Sequence, residues 1–256
     1  MSKTICITMT ATNRIGLVSH TVRSFWENLF RGSGVQLRVA INIDPAGPGK
    51  DSDRWRILDL FRDIMGVADP EHVRYNLPSH SHFPKAFKFV WDKAIHFNPD
   101  YVFHLEDDWV LHRPVSLEKL LDLFTTYPDL GILRLSAFRS NVDAMKTWNK
   151  FTYWNGDFFE IPTVDRGLLG FAGHPSIIRP EFVRLATECL KDTANPEKQL
   201  KGRNKHLTAY FQSHRFGVYN ERNNGPLIQD IGRRWMVENG YKKAGIKATF
   251  INWEEK

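Results

Sequence analysis

Strand-like and helix-like segments alternate through the first 110 residues, and this alternation restricts the fold more than any other feature of the chain. Thr4 to Met9 is β-branched and apolar, Val18 to Phe30 carries helical spacing, and Val35 to Ile43 is strand-like again, ending at Asp44-Pro45. Arg54 to Met65 repeats the helical period through Trp55, Leu58, Phe61, Ile64 and Met65, His72 to Asn76 supplies a short strand, and Pro84 to His96 a further helix. Tyr101 to Leu105 closes the series as a short buried strand. Strands joined through helices lie parallel in one sheet, so the pattern predicts an α/β fold with a mostly parallel, doubly wound central sheet flanked by helices. At 256 residues the chain is at the upper end for one domain and buries most of its apolar surface without staples. Cys6 and Cys189 lie in unrelated segments, which argues against a disulfide framework and for a reducing compartment.

In sheets of this kind ligands bind beyond the carboxyl ends of the strands, where the loops converge. Three such ends carry polar residues here: Thr10-Ala11-Thr12-Asn13-Arg14, Asn42-Ile43-Asp44 and Glu106-Asp107-Asp108. Extended geometry carried past Leu105 sends Glu106 and Asp108 to one face and Asp107 to the other. A divalent cation beside two of these carboxylates makes three adjacent negative charges tolerable, and hydroxyls, an amide and a guanidinium suit a nucleotide.

Several function classes are not indicated. The chain has no G-x-G-x-x-G, no G-x-x-x-x-G-K-[ST] and no zinc spacing, and His80 and His82 read as surface residues. The amino terminus lacks the apolar run of a signal peptide and no window reaches the 18 or so apolar residues of a membrane span, so the expected compartment is the cytoplasm. The net charge of +6 lies wholly in the last stretch: residues 191–256 hold 13 Lys/Arg against 7 Asp/Glu, and the 22 Lys/Arg before them are matched by 22 Asp/Glu. A basic carboxy-terminal third on a neutral body suggests contact with a polyanion.

A strand running into T-x-N-R, a second strand ending in Asp about thirty residues later, and an acidic triplet near position 100 resemble the GT-A glycosyltransferases, closest to family 2-like members with an E-D-D version of the D-x-D motif. The resemblance covers Ile5 to about Trp235. It implies one glycosyltransferase domain of Rossmann-like GT-A fold over residues 1–256, with residues 1–112 as the nucleotide-sugar-binding half and residues 113–256 as the acceptor-binding half. It places Thr10, Thr12, Asn13, Arg14 and Asp107 around the donor nucleotide, with Asp44 on the base or ribose, and makes Asp108 the main ligand of Mn2+ or Mg2+. Glu106 departs from the usual Asp and is assigned to the ribose or a metal-bound water, while Lys85 or Lys88 reaches toward the diphosphate. Related enzymes often have a late metal-binding His followed by glycine. Here Asp230 stands in the comparable place as a second metal ligand, with Arg233 or Arg234 near the phosphates.

The second half of the chain holds the expected acceptor determinants. Thr147 to Phe159 reads as a flexible aromatic loop in which Trp148 and Trp154 stack on a sugar ring or base, and the glycine-rich stretch around His174 corresponds to the segment facing the transferred sugar. Ser176 to Arg179 is expected as a strand, followed by a Pro-initiated helix through Leu190. Glu197, in Asn195-Pro196-Glu197, stands much where inverting relatives place their acidic base, with Asp157, Asp165 and Asp192 as rivals. The expected activity is metal-dependent transfer from a nucleotide sugar to a hydroxyl acceptor, a saccharide or similar. The alternatives are transfer to hydroxymethylated bases of phage-type DNA, a nucleotidyltransferase whose glycine-rich first loop is missing here, and a non-catalytic nucleic-acid-binding protein.

Overall fold

The computed structural model describes residues 2–67, 69–138, 152–169, 171–201, 204–220, 225–247 and 250–255, the stretches 242–247 and 250–255 as backbone only. In chain order the amino-terminal half runs β1 (Thr4–Thr12), α1 (Ile15–Phe25), β2 (Gln36–Asp44), α2 (Asp51–Met65), β3 (Val73–Asn76), α3 (Phe83–His96), β4 (Tyr101–Glu106) and β5 (Trp109–Leu111). The elements from β1 to β4 lie where hydrophobic periodicity puts them, apart from the end of α1, which widens into a π turn at Trp26–Phe30; β5 has no counterpart in the sequence pattern. There the Asn28 amide donates to the carbonyls of Ser24 and Leu111, which ties the turn to β5.

The remainder holds α4 (Leu117–Thr126), β6 (Leu130–Leu135), β7 (Ala137–Phe138), β8 (Tyr153–Trp154), β9 (Phe159–Ile161), α5 (Thr163–Leu169), β10 (Ser176–Ile178), α6 (Pro180–Cys189), α7 (Pro196–Gln199), α8 (Lys205–Ser213), β11 (Arg215–Tyr219), β12 (Ile228–Asp230), α9 (Gly232–Glu238) and the hairpin of β13 (Tyr241–Lys247) and β14 (Phe250–Glu255). The main sheet has the order β3-β2-β1-β4-β10-β6-β11-β9-β8, and β5, β12 and β7 form a small second sheet. The strands β1, β2, β3 and β4 are parallel, β10 runs antiparallel between β4 and β6, and β11 is parallel to β6.

Strand alternation builds a core on each side of the sheet. Ile5, Ile7 and Met9 of β1 share one cluster with Val18, Val22 and Phe25 of α1, Ile57, Phe61 and Met65 of α2 and Leu120 and Phe124 of α4. Cys6 and Ala40 face the other, with Phe87, Val90 and Trp91 of α3, Phe182 and Val183 of α6 and Leu207 and Phe211 of α8. This is the doubly wound arrangement the alternation predicts.

The segment expected as a flexible aromatic loop is different. Residues 153–161 form the antiparallel pair β8–β9 at the sheet edge, and Phe158 between the two strands is fully buried in the core. Trp154 is half-buried, with its ring edge-on to Phe159 at 5.1 Å between centroids. Trp148 lies outside the described residues. Among the described residues no helix is long and apolar enough to cross a membrane.

Candidate active site

Register brings the three polar strand ends together. Thr10 pairs with Asn42 on one side and Glu106 on the other, and Thr12 pairs with Asp44. A cavity of about 250 Å3 opens there. Thr10, Thr12, Arg14, Asp44, Glu106, Asp107 and Asp108 all line it, together with Asn195 of the Asn195-Pro196-Glu197 stretch and with Ser81 and Phe83, which have no sequence pattern of their own.

Within the acidic triplet the extended geometry stops at Glu106, and Asp107-Asp108 forms a turn into β5. The turn separates the three carboxylates by role. Asp107 is buried and fully engaged: Oδ1 accepts from Arg14 Nη2 at 2.9 Å, and Oδ2 accepts from the Thr12 amide at 2.8 Å and the Thr12 hydroxyl at 2.9 Å. Thr21 Oγ1 donates to the Asp107 carbonyl at 2.8 Å. A buried carboxylate needs such a set of donors, so this ion pair fixes the β1 loop against the acidic turn. Asn13 stays on its own side of that loop, with its amide donating to the carbonyls of Gly49 and Lys50 at 2.8 and 2.9 Å. It holds residues 46–50 in place.

Asp44 is the anchor of a second polar chain. Asn76 Nδ2 donates to Asn42 Oδ1 at 2.7 Å, Asn42 Nδ2 donates to Asp44 Oδ1 at 2.8 Å, and the His82 amide donates to Asp44 Oδ2 at 3.3 Å. Burial pushes the Asp44 carboxyl above its ordinary value, and the bond from Asn42 opposes that rise. His82 also caps α3, its Nδ1 accepting from the Lys85 amide at 3.3 Å.

Glu106 is half-buried, and its carboxyl is held well above the ordinary range, first by desolvation and then by the charges of Asp108, Glu197 and Asp107. Glu197 therefore lies close enough to the acidic turn to be felt there, although 89 residues separate it from Asp108 in sequence. Asn195 caps α7 by accepting from the Lys198 amide at 3.2 Å, which leaves the Glu197 side chain to turn inward, where Oε1 accepts from the Gly173 amide.

Asp108 is partly open to solvent, its side chain 25% exposed, with Arg14 Nη2 at 3.8 Å. β12 lies antiparallel to β5 with Asp230 opposite Trp109, and the Ile231 amide donates to the Asp108 carbonyl at 2.8 Å. Asp230 is exposed beside the turn, and its Oδ1 accepts from the Gly232 amide at 2.8 Å. Trp235 of α9 lies over the Arg14 guanidinium at 5.4 Å and stacks on Tyr241. Arg233 is exposed, and Arg234 pairs with Glu238 at 2.6 Å, not with Asp230.

Among the described residues no group of three or more His, Cys, Asp or Glu forms a ready cage for a metal ion. Asp107 has both oxygens engaged by Thr12 and Arg14, and the other carboxylate oxygens around the turn are those of Asp108, Glu106 and Asp230, which are not gathered into one cluster of three. One or two carboxylates with substrate phosphates completing the shell is the usual arrangement for Mg2+, so this donor set fits an ion that arrives with a diphosphate.

Other expected residues fall elsewhere. Lys85 is exposed on α3, and Lys88 Nζ donates to the Leu190 carbonyl at 3.1 Å. Asp157 accepts from the Tyr127 hydroxyl at 2.7 Å, and neither Asp165 nor Asp192 is among the residues lining the cavity at the acidic turn. His174, next to Gly173, packs edge-on against Trp109 at 5.0 Å and lines a neighbouring cavity of about 90 Å3 with Arg134, Ser136, Phe159 and Asn220.

No family profile matches the chain, and no curated protein matches it in sequence. Solved structures share its fold. S. aureus TarS aligns with a TM-score of 0.57 at 10% identity over 89% of this chain and 36% of TarS. TarS 1-349 in complex with UDP-GlcNAc gives 0.56 at 12% identity over 90% of this chain and 58% of that one. The mannosyltransferase PcManGT from Pyrobaculum calidifontis, in complex with GDP-Man and Mn2+, gives 0.50 at 11% identity over 87% of this chain and 59% of that one. The chain thus spans between about a third and three-fifths of the length of these proteins. Its fold is the mixed α/β fold of GT-A-like glycosyltransferases, a large, mostly parallel sheet flanked by helices.

Proposed function

We propose that the chain is a glycosyltransferase that moves a sugar from a nucleoside-diphosphate sugar to a hydroxyl of a saccharide or similar acceptor, with inversion. The reading is carried by the convergence of Thr10, Asp44, Glu106, Asp108 and Asn195 on one cavity at the carboxyl end of a GT-A-like sheet, with the Glu197 charge felt at Glu106. Residues 1–112 supply most of the donor pocket and residues 113–256 the acceptor side, within one domain. The nucleoside sits between Thr10, Asp44 and Phe83, with the Asp44 carboxylate accepting from its base or ribose.

Asp108, with Glu106 and Asp230 nearby, would hold Mn2+ or Mg2+, which when bound neutralises the leaving diphosphate. Glu197 takes the proton of the acceptor hydroxyl. The acceptor oxygen forms its bond to the anomeric carbon as the bond from that carbon to the phosphate oxygen breaks, and the electron pair leaves on the diphosphate. Arg14 stays paired to Asp107 throughout and holds the turn that carries Asp108.

Glu197→Gln preserves shape and removes basicity. Turnover of a nucleotide sugar should fall by about 10²–10⁴-fold while its binding stays unchanged. Turnover within a few-fold of the parent removes Glu197 from the role.

A further inference from the structure

Two glycines from the second half of the chain lie directly against the two carboxylates from the end of β4. A methyl group placed on Gly173 would sit 2.6 Å from Glu106 Oε1 and 2.9 Å from Oε2. One placed on Gly232 would sit 2.9 Å from Asp108 Cγ and would overlap Oδ2. Real side chains do not occupy such distances, so in each case the carboxylate would have to move. Neither glycine is demanded by its backbone, because neither has a left-handed φ. Gly232 moreover opens α9, where alanine is the better helix former. Close approach of bare backbone to a neighbouring group is what these positions have in common.

We infer that Gly173 and Gly232 are positioning residues for the transfer reaction: their bare backbones seat Glu106 and Asp108, and Gly173 also sets where the base stands. Gly173 lies against both Glu106 and Glu197: its amide donates to Glu197 Oε1, and a Cβ at this position would run into the Glu106 carboxylate. It is thus the spacer between donor-side and acceptor-side carboxylates. Gly232 is held by two neighbours, Asp230 through its amide and the Ile231–Asp108 backbone bond, so it cannot drift away from Asp108 without breaking that bond.

The inference rests on the glycosyltransferase reading, and a double-mutant cycle separates the two. The substitutions are Gly173→Ala, Glu106→Asp and their combination, with Gly232→Ala alongside. Gly16→Ala, where an added Cβ meets nothing within 4 Å, is the control. Hydrolysis of UDP-GlcNAc and GDP-mannose with Mn2+ gives kcat and KM, calorimetry with the matching nucleoside diphosphate gives binding, and thermal unfolding reports the fold. The expected results are a fall in kcat of tenfold or more for Gly173→Ala with KM little changed, and partial recovery when Glu106→Asp makes room, so that the two changes are non-additive by at least tenfold. Gly232→Ala should weaken Mn2+-dependent nucleotide binding tenfold or more, and all variants should unfold within a few degrees of the parent. Parental kcat in Gly173→Ala, or additive losses, overturns the spacer; parental binding in Gly232→Ala overturns the seat of Asp108. A parent that neither binds nor turns over any nucleotide sugar overturns the functional reading itself, and this inference with it.

Discussion

Glu106 holds its proton more tightly in the folded chain than in the unfolded one, because burial and the charges of Asp108 and Glu197 oppose ionisation. The stabilising contribution of the proton is fully present below the unfolded carboxylate pKa and is lost as pH rises through the raised folded value. Glu106→Gln keeps the shape and removes the repulsion. Without added metal it should unfold about 2–4 °C higher than the parent at neutral pH, the shift that about 1 kcal/mol produces in a chain of this size, with little difference near pH 4. Equal melting temperatures across that range would mean that the three carboxylates do not repel one another. At this scale much of the pocket was legible: Thr10, Thr12, Arg14, Asp44 and the acidic triplet all reach the cavity because polar residues at strand ends have few other places to go. What was not legible is the division of labour within the triplet. Asp107 turns onto Arg14 and Thr12 only because β1 and β4 are neighbours, and the seats made by Gly173 and Gly232 depend on elements more than 60 residues further along the chain.

Elements with ten or more residues followed their periodicity closely, whereas three-residue strands carry too little pattern to be paired from sequence. β10 was expected as a strand, but its antiparallel insertion between β4 and β6 was not, nor was the small sheet of β5, β12 and β7 that brings Asp230 and Gly232 to the acidic turn. The β8–β9 hairpin shows the limit most clearly, since aromatic residues without periodicity suit a binding loop and a packed edge equally well. Phe158 decides for packing: it is fully buried, 5.3 Å from the Tyr127 ring, and it leaves no room for a side chain at Gly217. Phe158→Ala should therefore lower the unfolding free energy by about 3–5 kcal/mol, measured by denaturant titration. A loss below about 1 kcal/mol would return this aromatic to the surface.

For the whole molecule, the charge asymmetry narrows once contacts are known. Of the cations after residue 190, Arg215 pairs with Asp129 and Glu160 and Arg234 with Glu238, while Lys191, Lys198, Lys201, Lys205 and Arg233 are exposed. Arg203 and Arg222 lie outside the described residues. The exposed lysines flank the stretch that carries Asn195 and Glu197, so an anionic acceptor would meet them on its way in. Among the described side chains after residue 190 these five exposed cations form a short run for a duplex to engage. Binding to duplex DNA should consequently be weak at about 150 mM salt, with a log–log salt slope no steeper than about −3. A slope near −6 or beyond would make DNA the acceptor class to pursue.

In the proposed function this cavity binds a nucleotide sugar together with a divalent cation at Asp108. The decisive measurement is calorimetry on the parent chain and on Asp108→Ala, with UDP-GlcNAc, GDP-mannose and a panel of nucleoside diphosphates, with and without Mn2+. At least one of these ligands should bind the parent more tightly when Mn2+ is present, and Asp108→Ala should abolish the Mn2+-dependent gain while unfolding at a similar temperature. Absence of binding to the parent under every condition, or an undiminished Mn2+-dependent gain in Asp108→Ala, would contradict the proposed function.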